Sequence, residues 1–198
     1  MASEAASNAG LTDQDLVHQV TAGNGEAFGI IVERHQDRLY NTIYRLLGSA
    51  DDARDVLQDV FVKAFENLDR FRGGSSLYTW LFRIAVNTSL SHRRKRRWVP
   101  MGLGSPDDGE NPGRPTLADP TPADPAGPMM AAETEHLIQE AIGSLDDEHR
   151  TIVVLRDIQH CDYREIAQIL DVPPGTVKSR LHRARLMLRD RLKPLLPC

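Results

Sequence analysis

The sequence predicts an all-α chain: two small helical domains joined by a disordered linker rich in Pro, Gly and Asp, the second a four-helix domain that ends in a helix-turn-helix. Three observations carry this. Apolar residues recur at three- and four-residue spacing on both sides of a central gap, the period of helices with one buried face. The gap, residues 99–128, holds eight of the chain's twelve prolines, repeated Asp-Pro steps and almost no apolar residues, so it cannot bury enough surface to offset the entropy of ordering it. The last fifth, residues 162–185, reads as cap, short helix, turn, proline and basic helix.

Residues 1–10 are small and polar and are expected to form a flexible tail ahead of a first domain over residues 11–98. Thr12 and Asp15 have the spacing of a capping box, and Leu16, Val17 and Val20 give a short amphipathic helix that stops at Gly23. A longer helix over 26–47 carries Phe28, Ile31, Val32, Leu39, Ile43, Leu46 and Leu47 in one stripe, and Gly48 supplies a left-handed stop. His35 lies in line with that stripe. With no second ligand or nucleophile at a matching spacing, it is expected to be a partly buried, hydrogen-bonded histidine. Ser49 with Asp52 starts a third helix whose core face is Ala53, Val56, Leu57, Val60, Phe61, Ala64, Phe65 and Leu68. Its other face, with Asp55, Gln58, Asp59 and Val62, is too acidic for DNA and on residue chemistry alone reads as solvated.

Phe71-Arg-Gly-Gly-Ser-Ser76 reads as a flexible loop leading into a helix over 77–97. Leu77, Trp80, Leu81, Ile84, Ala85 and Thr88 are expected to face inward, with Tyr78, Thr79, Phe82, Arg83, Asn87 and Ser91 elsewhere before the basic run from His92 to Arg97. Rings stack on unpaired bases, amides read base edges and guanidinium groups neutralise phosphate, so this surface suits nucleic acid. Packing of Tyr78 and Phe82 against a neighbouring helix fits the spacing equally well.

The second domain, residues 129–198, begins with helices over about 130–142 and 146–158. Ile152-Val-Val-Leu155 could pass for a strand, but Leu145, Ile152, Leu155 and Ile158 keep helical spacing and no partner strand is in sight. Asp162 and Glu165 form a second capping box before Ile166, Ala167 and Leu170. Pro174 suits the first turn of the next helix. There Val177, Leu181, Ala184, Leu188 and Leu192 form the buried stripe and leave Thr176, Lys178, Ser179, Arg180, His182, Arg183 and Arg185 on a surface that fits a major groove. Leu195 and Leu196 are the remaining apolar end.

The net charge of -4 hides an asymmetry. Residues 101–147 carry a balance of -9 and residues 174–198 one of +6, so positive charge is concentrated where a groove-reading helix needs it. No apolar run approaches membrane-spanning length and the N-terminus lacks a basic-then-apolar leader, which predicts a cytoplasmic protein without membrane insertion. Cys161 and Cys198 lack metal or disulfide spacing and read as incidental thiols. No cofactor or metal is expected. An enzyme is the weakest class, since no HExxH, P-loop or nucleophile motif is present.

Two separated signatures carry a family resemblance. Asp59-Val-Phe-Val-Lys-Ala-Phe65, Leu68-Asp-Arg-Phe-Arg-Gly73 and Leu77-Tyr-Thr-Trp-Leu-Phe-Arg-Ile-Ala-Val-Asn87 precede the linker; Tyr163-Arg-Glu-Ile-Ala167 and Gly175-Thr-Val-Lys-Ser-Arg180 follow it. Together they resemble the extracytoplasmic-function (ECF) subgroup of bacterial RNA polymerase sigma factors, from Leu11 to Leu192. The resemblance implies a non-catalytic subunit that brings core RNA polymerase to promoter DNA, in a stress or envelope response. Residues 11–98 then match sigma region 2, which binds the polymerase and recognises and melts the -10 element, and residues 129–198 match region 4, which reads the -35 element. The resemblance assigns Asp55, Gln58, Asp59 and Val62 to docking on the clamp helices of the largest polymerase subunit, replacing the solvated-face reading. It assigns Phe71, Arg72, Gly73, Gly74, Ser75, Ser76, Tyr78, Arg83 and Asn87 to the -10 strand and its flipped base. Thr176, Lys178, Ser179, Arg180, His182 and Arg183 match the -35 reader, and the polymerase flap region and an anti-sigma factor are further implied partners. A stand-alone helix-turn-helix regulator is the alternative reading.

Overall fold

Capping boxes start the first and seventh helices where the sequence places them. The computed structural model describes residues 10–98 and 126–193. Thr12 Oγ1 accepts from the Asp15 N–H at 3.2 Å while Asp15 accepts from the Thr12 N–H at 2.9 Å, which opens α1 (Asp13–Thr21). Helix α2 (Glu26–Leu47) ends on Gly48 at φ 79°, where glycine avoids the Cβ clash of the left-handed region. Ser49 accepts from the Asp52 N–H to cap α3 (Ala50–Glu66), and a 3₁₀ turn (Leu68–Arg70) leads to the loop before α4 (Leu77–Trp98). These four helices bury Leu16, Ile31, Leu39, Ile43, Leu46, Val56, Leu81 and Phe82 completely or nearly so. Each such side chain contributes about 1.5–3 kcal/mol on burial.

The second half contains α5 (Ala126–Gly143), α6 (Asp147–Val153), α7 (Tyr163–Leu170) and α8 (Pro174–Leu192). Helix α6 runs on as a π-helical turn (Val154–Ile158), with the Gln159 N–H donating to the Val154 carbonyl at 3.0 Å. The strand-like Ile152–Leu155 run is therefore helix, and the described residues contain no strand. Asp162 accepts from the Arg164 and Glu165 N–H groups, and Glu165 accepts from the Asp162 N–H at 2.7 Å, closing the predicted box on α7. Pro174 occupies the first turn of α8. The expected flexible tail, most of the linker, Leu195, Leu196 and Cys198 lie outside the described residues.

Three expectations need correcting. Phe82 and Thr79, placed off the core, are buried, Phe82 completely. Helix α4 packs against α2, α3 and α7, so a second stripe (Phe82, Val86, Ser89) is covered as well as the predicted one. Trp80, placed in the core, is half-buried and lies 5.5 Å from the Phe71 ring, since it sits in the first turn of α4 beside the loop. Phe65, expected in the core, is 53% exposed with its ring edge against Phe28, because Val60 and Ala64 fill the core-facing positions and Phe65 falls one step further round the helix.

The two halves pack together. Arg150 is 4% exposed and donates to the carbonyls of Ile142 at 3.0 Å and Leu145 at 2.8 Å, to Gly143, and across the divide to Leu46 at 3.0 Å. One guanidinium thus satisfies the open C-terminal carbonyls of α5 and α2 together, where cationic charge also suits the helix dipole. Arg93 donates to the same Leu46 carbonyl at 3.1 Å.

Candidate nucleic-acid and partner surfaces

Helix α3 turns Asp55, Gln58, Asp59 and Val62 outward at spacings of three, one and three residues, which aligns them along one face. Val62 is 50% exposed, and Phe65 continues the stripe. Acidic charge beside exposed apolar side chains is a docking chemistry rather than a DNA-reading one.

Beyond α3 the chain turns sharply at Gly73, φ 70°, and Ser76 caps α4 by accepting from the Thr79 N–H at 3.1 Å. Phe71, Arg72, Gly74, Ser75 and Arg83 line a cleft of about 310 Å³, together with Gln168 of α7 and Asp171, the residue that caps its end. Arg83 lies 3.7 Å from the Asp171 carboxylate. Asn87 opens into a neighbouring cavity of about 440 Å³ with Lys63, Asn67 and Arg70, and Trp80 lines both spaces. Tyr78 lines neither. Its ring lies 4.2 Å from that of Phe82, the Arg38 guanidinium sits 4.2 Å above it, and its hydroxyl lies 3.5 Å from Cys161 Sγ. Burial pushes the Tyr78 phenol well up and the Cys161 thiol up, so both stay protonated. The structure therefore brings the loop and Arg83 together, places Asn87 next door and turns Tyr78 away.

The basic run at the end of α4 is largely engaged. Arg96 and His92 meet Asp52, while Arg93 and Arg97 meet Asp147 at 3.2 and 3.3 Å. Arg94 and Lys95 remain exposed.

On α8, Lys178, Ser179, His182 and Arg183 are exposed and Thr176 and Arg180 half-buried. Arg180 is paired with Glu148 at 3.1 Å, and Arg185 is bound to Asp157 of the π-helical turn. Of the cations that the sequence assigns to the reading face, Lys178 and Arg183 form no ion pair among the described residues and are presented to a ligand. The sequence reading missed the partners Glu148 and Asp157. Nothing in the spacing signals them, because they come from a different helix.

Among the described residues no group of His, Cys, Asp or Glu could hold a metal ion, and no helix is long and apolar enough to cross a membrane. Fold and surfaces together define a two-region helical DNA-binding protein. Residues 31–99 match the family profile of Sigma-70 region 2 and residues 135–188 that of Sigma-70, region 4. The ECF RNA polymerase sigma-E factor of Haemophilus influenzae is 36% identical over 187 residues, covering 94% of this chain and 98% of its own. ECF RNA polymerase sigma factor SigW of Bacillus subtilis is 36% identical (90% and 96% covered), and the sigma-E factor of Escherichia coli K12 37% identical (94% and 97%). Among solved structures, CnrH in complex with the cytosolic domain of CnrY superposes with a TM-score of 0.67 at 27% identity, over 92% of this chain and 97% of that one. The sigma factor RpoE of Bartonella quintana, solved with the anti-sigma factor NepR, gives 0.64 at 28% identity, over 84% and 96%. The chain belongs to the ECF family of RNA polymerase sigma factors, a non-enzymatic family. That membership sets aside the stand-alone regulator.

Proposed function

We propose that the chain divides promoter reading between its two regions while a third surface holds the polymerase. Residues 11–98 dock core RNA polymerase through Asp55, Gln58, Asp59 and Val62 on the clamp helices, and take the melted -10 strand with the loop 71–76, Arg83 and Asn87. Tyr78 joins that surface only when it leaves Cys161. Residues 129–198 read the -35 element through α8, with the flap region as a further polymerase contact. The setting is the cytoplasm, in a stress or envelope response. An anti-sigma factor is a fitting regulator, given the anti-sigma factor NepR with which RpoE was solved.

The observation that carries this reading is the segregation of surfaces: exposed acids and Val62 on α3, the cleft at the 71–76 loop, and unpaired Lys178 and Arg183 on α8. The test is reconstituted transcription with bacterial core polymerase on genomic promoter fragments. Specific transcripts that depend on the chain are expected, and Asp55→Lys with Asp59→Lys should abolish co-purification with core while leaving the helical circular-dichroism signal intact. Unchanged core binding by that variant would remove α3 from the docking role.

A further inference from the structure

We propose that two carboxylates outside the helix-turn-helix, Glu148 and Asp157, set the edges of the DNA-reading face of α8. Each neutralises an arginine on one shoulder of that helix, and together they restrain binding to DNA of the wrong sequence. This rests on the assignment of α8 as the -35 reader above and adds two specificity-determining residues to it.

Successive residues turn an α-helix by about 100°, so Arg180 and Arg185, five apart, stand about 140° from each other, on either side of the buried stripe of Val177, Leu181 and Ala184. The remaining arc of about 220° carries Thr176, Lys178, Ser179, His182 and Arg183. Both shoulder arginines are held, and from one stretch of chain. Arg180 Nη2 lies 3.1 Å from a carboxylate oxygen of Glu148, in the first turn of α6. Arg185 donates to Asp157 through Nε at 3.2 Å and again through Nη2, and Asp157 belongs to the π-helical turn that continues α6. Inside the arc, Lys178 and Arg183 form no ion pair among the described residues. The two bridges therefore bound the very surface that faces a groove.

Shoulder cations of a groove-reading helix are those that reach phosphates on the groove walls, and phosphate contacts hold every sequence alike. A partly exposed bridge is weak on its own and does not keep an arginine from a phosphate. The carboxylate, however, stays behind. The Glu148 side chain is 63% exposed, so a phosphate that draws Arg180 away is left facing an unpaired negative charge. Each shoulder is thus neutral as a unit and displaces no counterion from DNA. On cognate DNA, base contacts fix the roll of α8 in the groove; on other DNA the helix settles wherever its cations find phosphate. Neutral shoulders then weaken the wrong complex more than the right one, which is specificity by a withheld contact.

The test uses the full chain bound to core polymerase, with a promoter fragment selected in the transcription assay above and the same fragment scrambled at -35. Affinity is measured across a salt series for the parent, Glu148→Gln, Asp157→Asn and the double variant, with thermal melts to confirm that each is folded. Each freed arginine should steepen the slope of log K against log salt by ~0.9, an added factor of about three in affinity lost between about 50 and 200 mM salt. At low salt the gain should fall mainly on the scrambled fragment, so that selectivity narrows. In an Arg180→Ala background, Glu148→Gln should no longer change the slope, because the cation it frees is gone. Folded variants with unchanged slope and selectivity would overturn the proposal. So would a slope change from Glu148→Gln that persists without Arg180, or a loss of cognate binding in Glu148→Gln, which would make Glu148 a support that aims Arg180 at the DNA. A parent holoenzyme that does not form, or that ignores scrambling at -35, defeats the proposed function and this inference with it; the other outcomes bear on the two carboxylates alone.

Discussion

Arg180 and Arg183 lie three residues apart on one helix, yet they are not equivalent. Arg180 must give up Glu148 before it can reach a base, whereas Arg183 is exposed and unpaired among the described residues. Arg183→Ala is therefore expected to lower discrimination at one -35 base pair by about 1–3 kcal/mol, measured by competition between promoter variants. Lys178→Ala should instead weaken all sequences alike and flatten the salt dependence. His35 gives a second prediction at this scale. Its Nε2 lies 3.1 Å from Asp13 and it is 8% exposed; the ionised carboxylate accepts only, so the neutral ring donates to it. Burial holds its pKa below the usual value and outweighs the raising effect of Asp13. The unfolded chain then binds more protons, so His35 contributes stability above about pH 6.5 that is lost as pH falls through the depressed folded pKa. Thermal melts of the wild type should show the midpoint falling on acidification through that window, with a shallower fall in His35→Gln. The sequence foretold a partly buried, bonded histidine from its place in the α2 stripe, and the structure buries it further. It could not foretell Arg150, because four carbonyls converge on that side chain only once three helix ends have met.

Element by element, local rules were sufficient where the chemistry is local. Both capping boxes, the Gly48 stop and Pro174 in the first turn of α8 follow from side chains acting on backbone a few residues away. Asp162→Ala should cost about 1 kcal/mol in urea denaturation, by leaving the Arg164 and Glu165 N–H groups of α7 uncapped. Where a helix serves two neighbours, periodicity under-reads it. Helix α4 was legible as one stripe, and the burial of Phe82, Val86 and Ser89 on a second reflects how many elements surround it. The π-helical turn after Val153 was equally hidden, since no residue type demands it. It places Asp157 against Arg185, so Arg185→Ala should destabilise the second region more than it alters promoter choice, a contrast readable from melting temperature and transcript selectivity.

For the molecule as a whole, the two helical halves and the proline-rich stretch between them were plain from composition, but the contact between the halves was not. Ion pairs such as Arg93–Asp147 join residues more than fifty positions apart, and neither partner shows an unusual sequence environment. Arg93 was legible as part of a basic run and Asp147 as part of a helix, each reading sufficient by itself. Their meeting has a consequence at the end of α2. The Leu46 carbonyl accepts from Arg93 of its own half and from Arg150 of the other, and Arg150 keeps its bonds to Ile142, Gly143 and Leu145. If the halves part, each side therefore leaves with its buried group still satisfied: one acceptor retains a donor, and one cation retains a nest of oxygens. Parting strands neither a bare carbonyl nor a naked charge, so the joint at Leu46 can be made and broken repeatedly without either region having to refold.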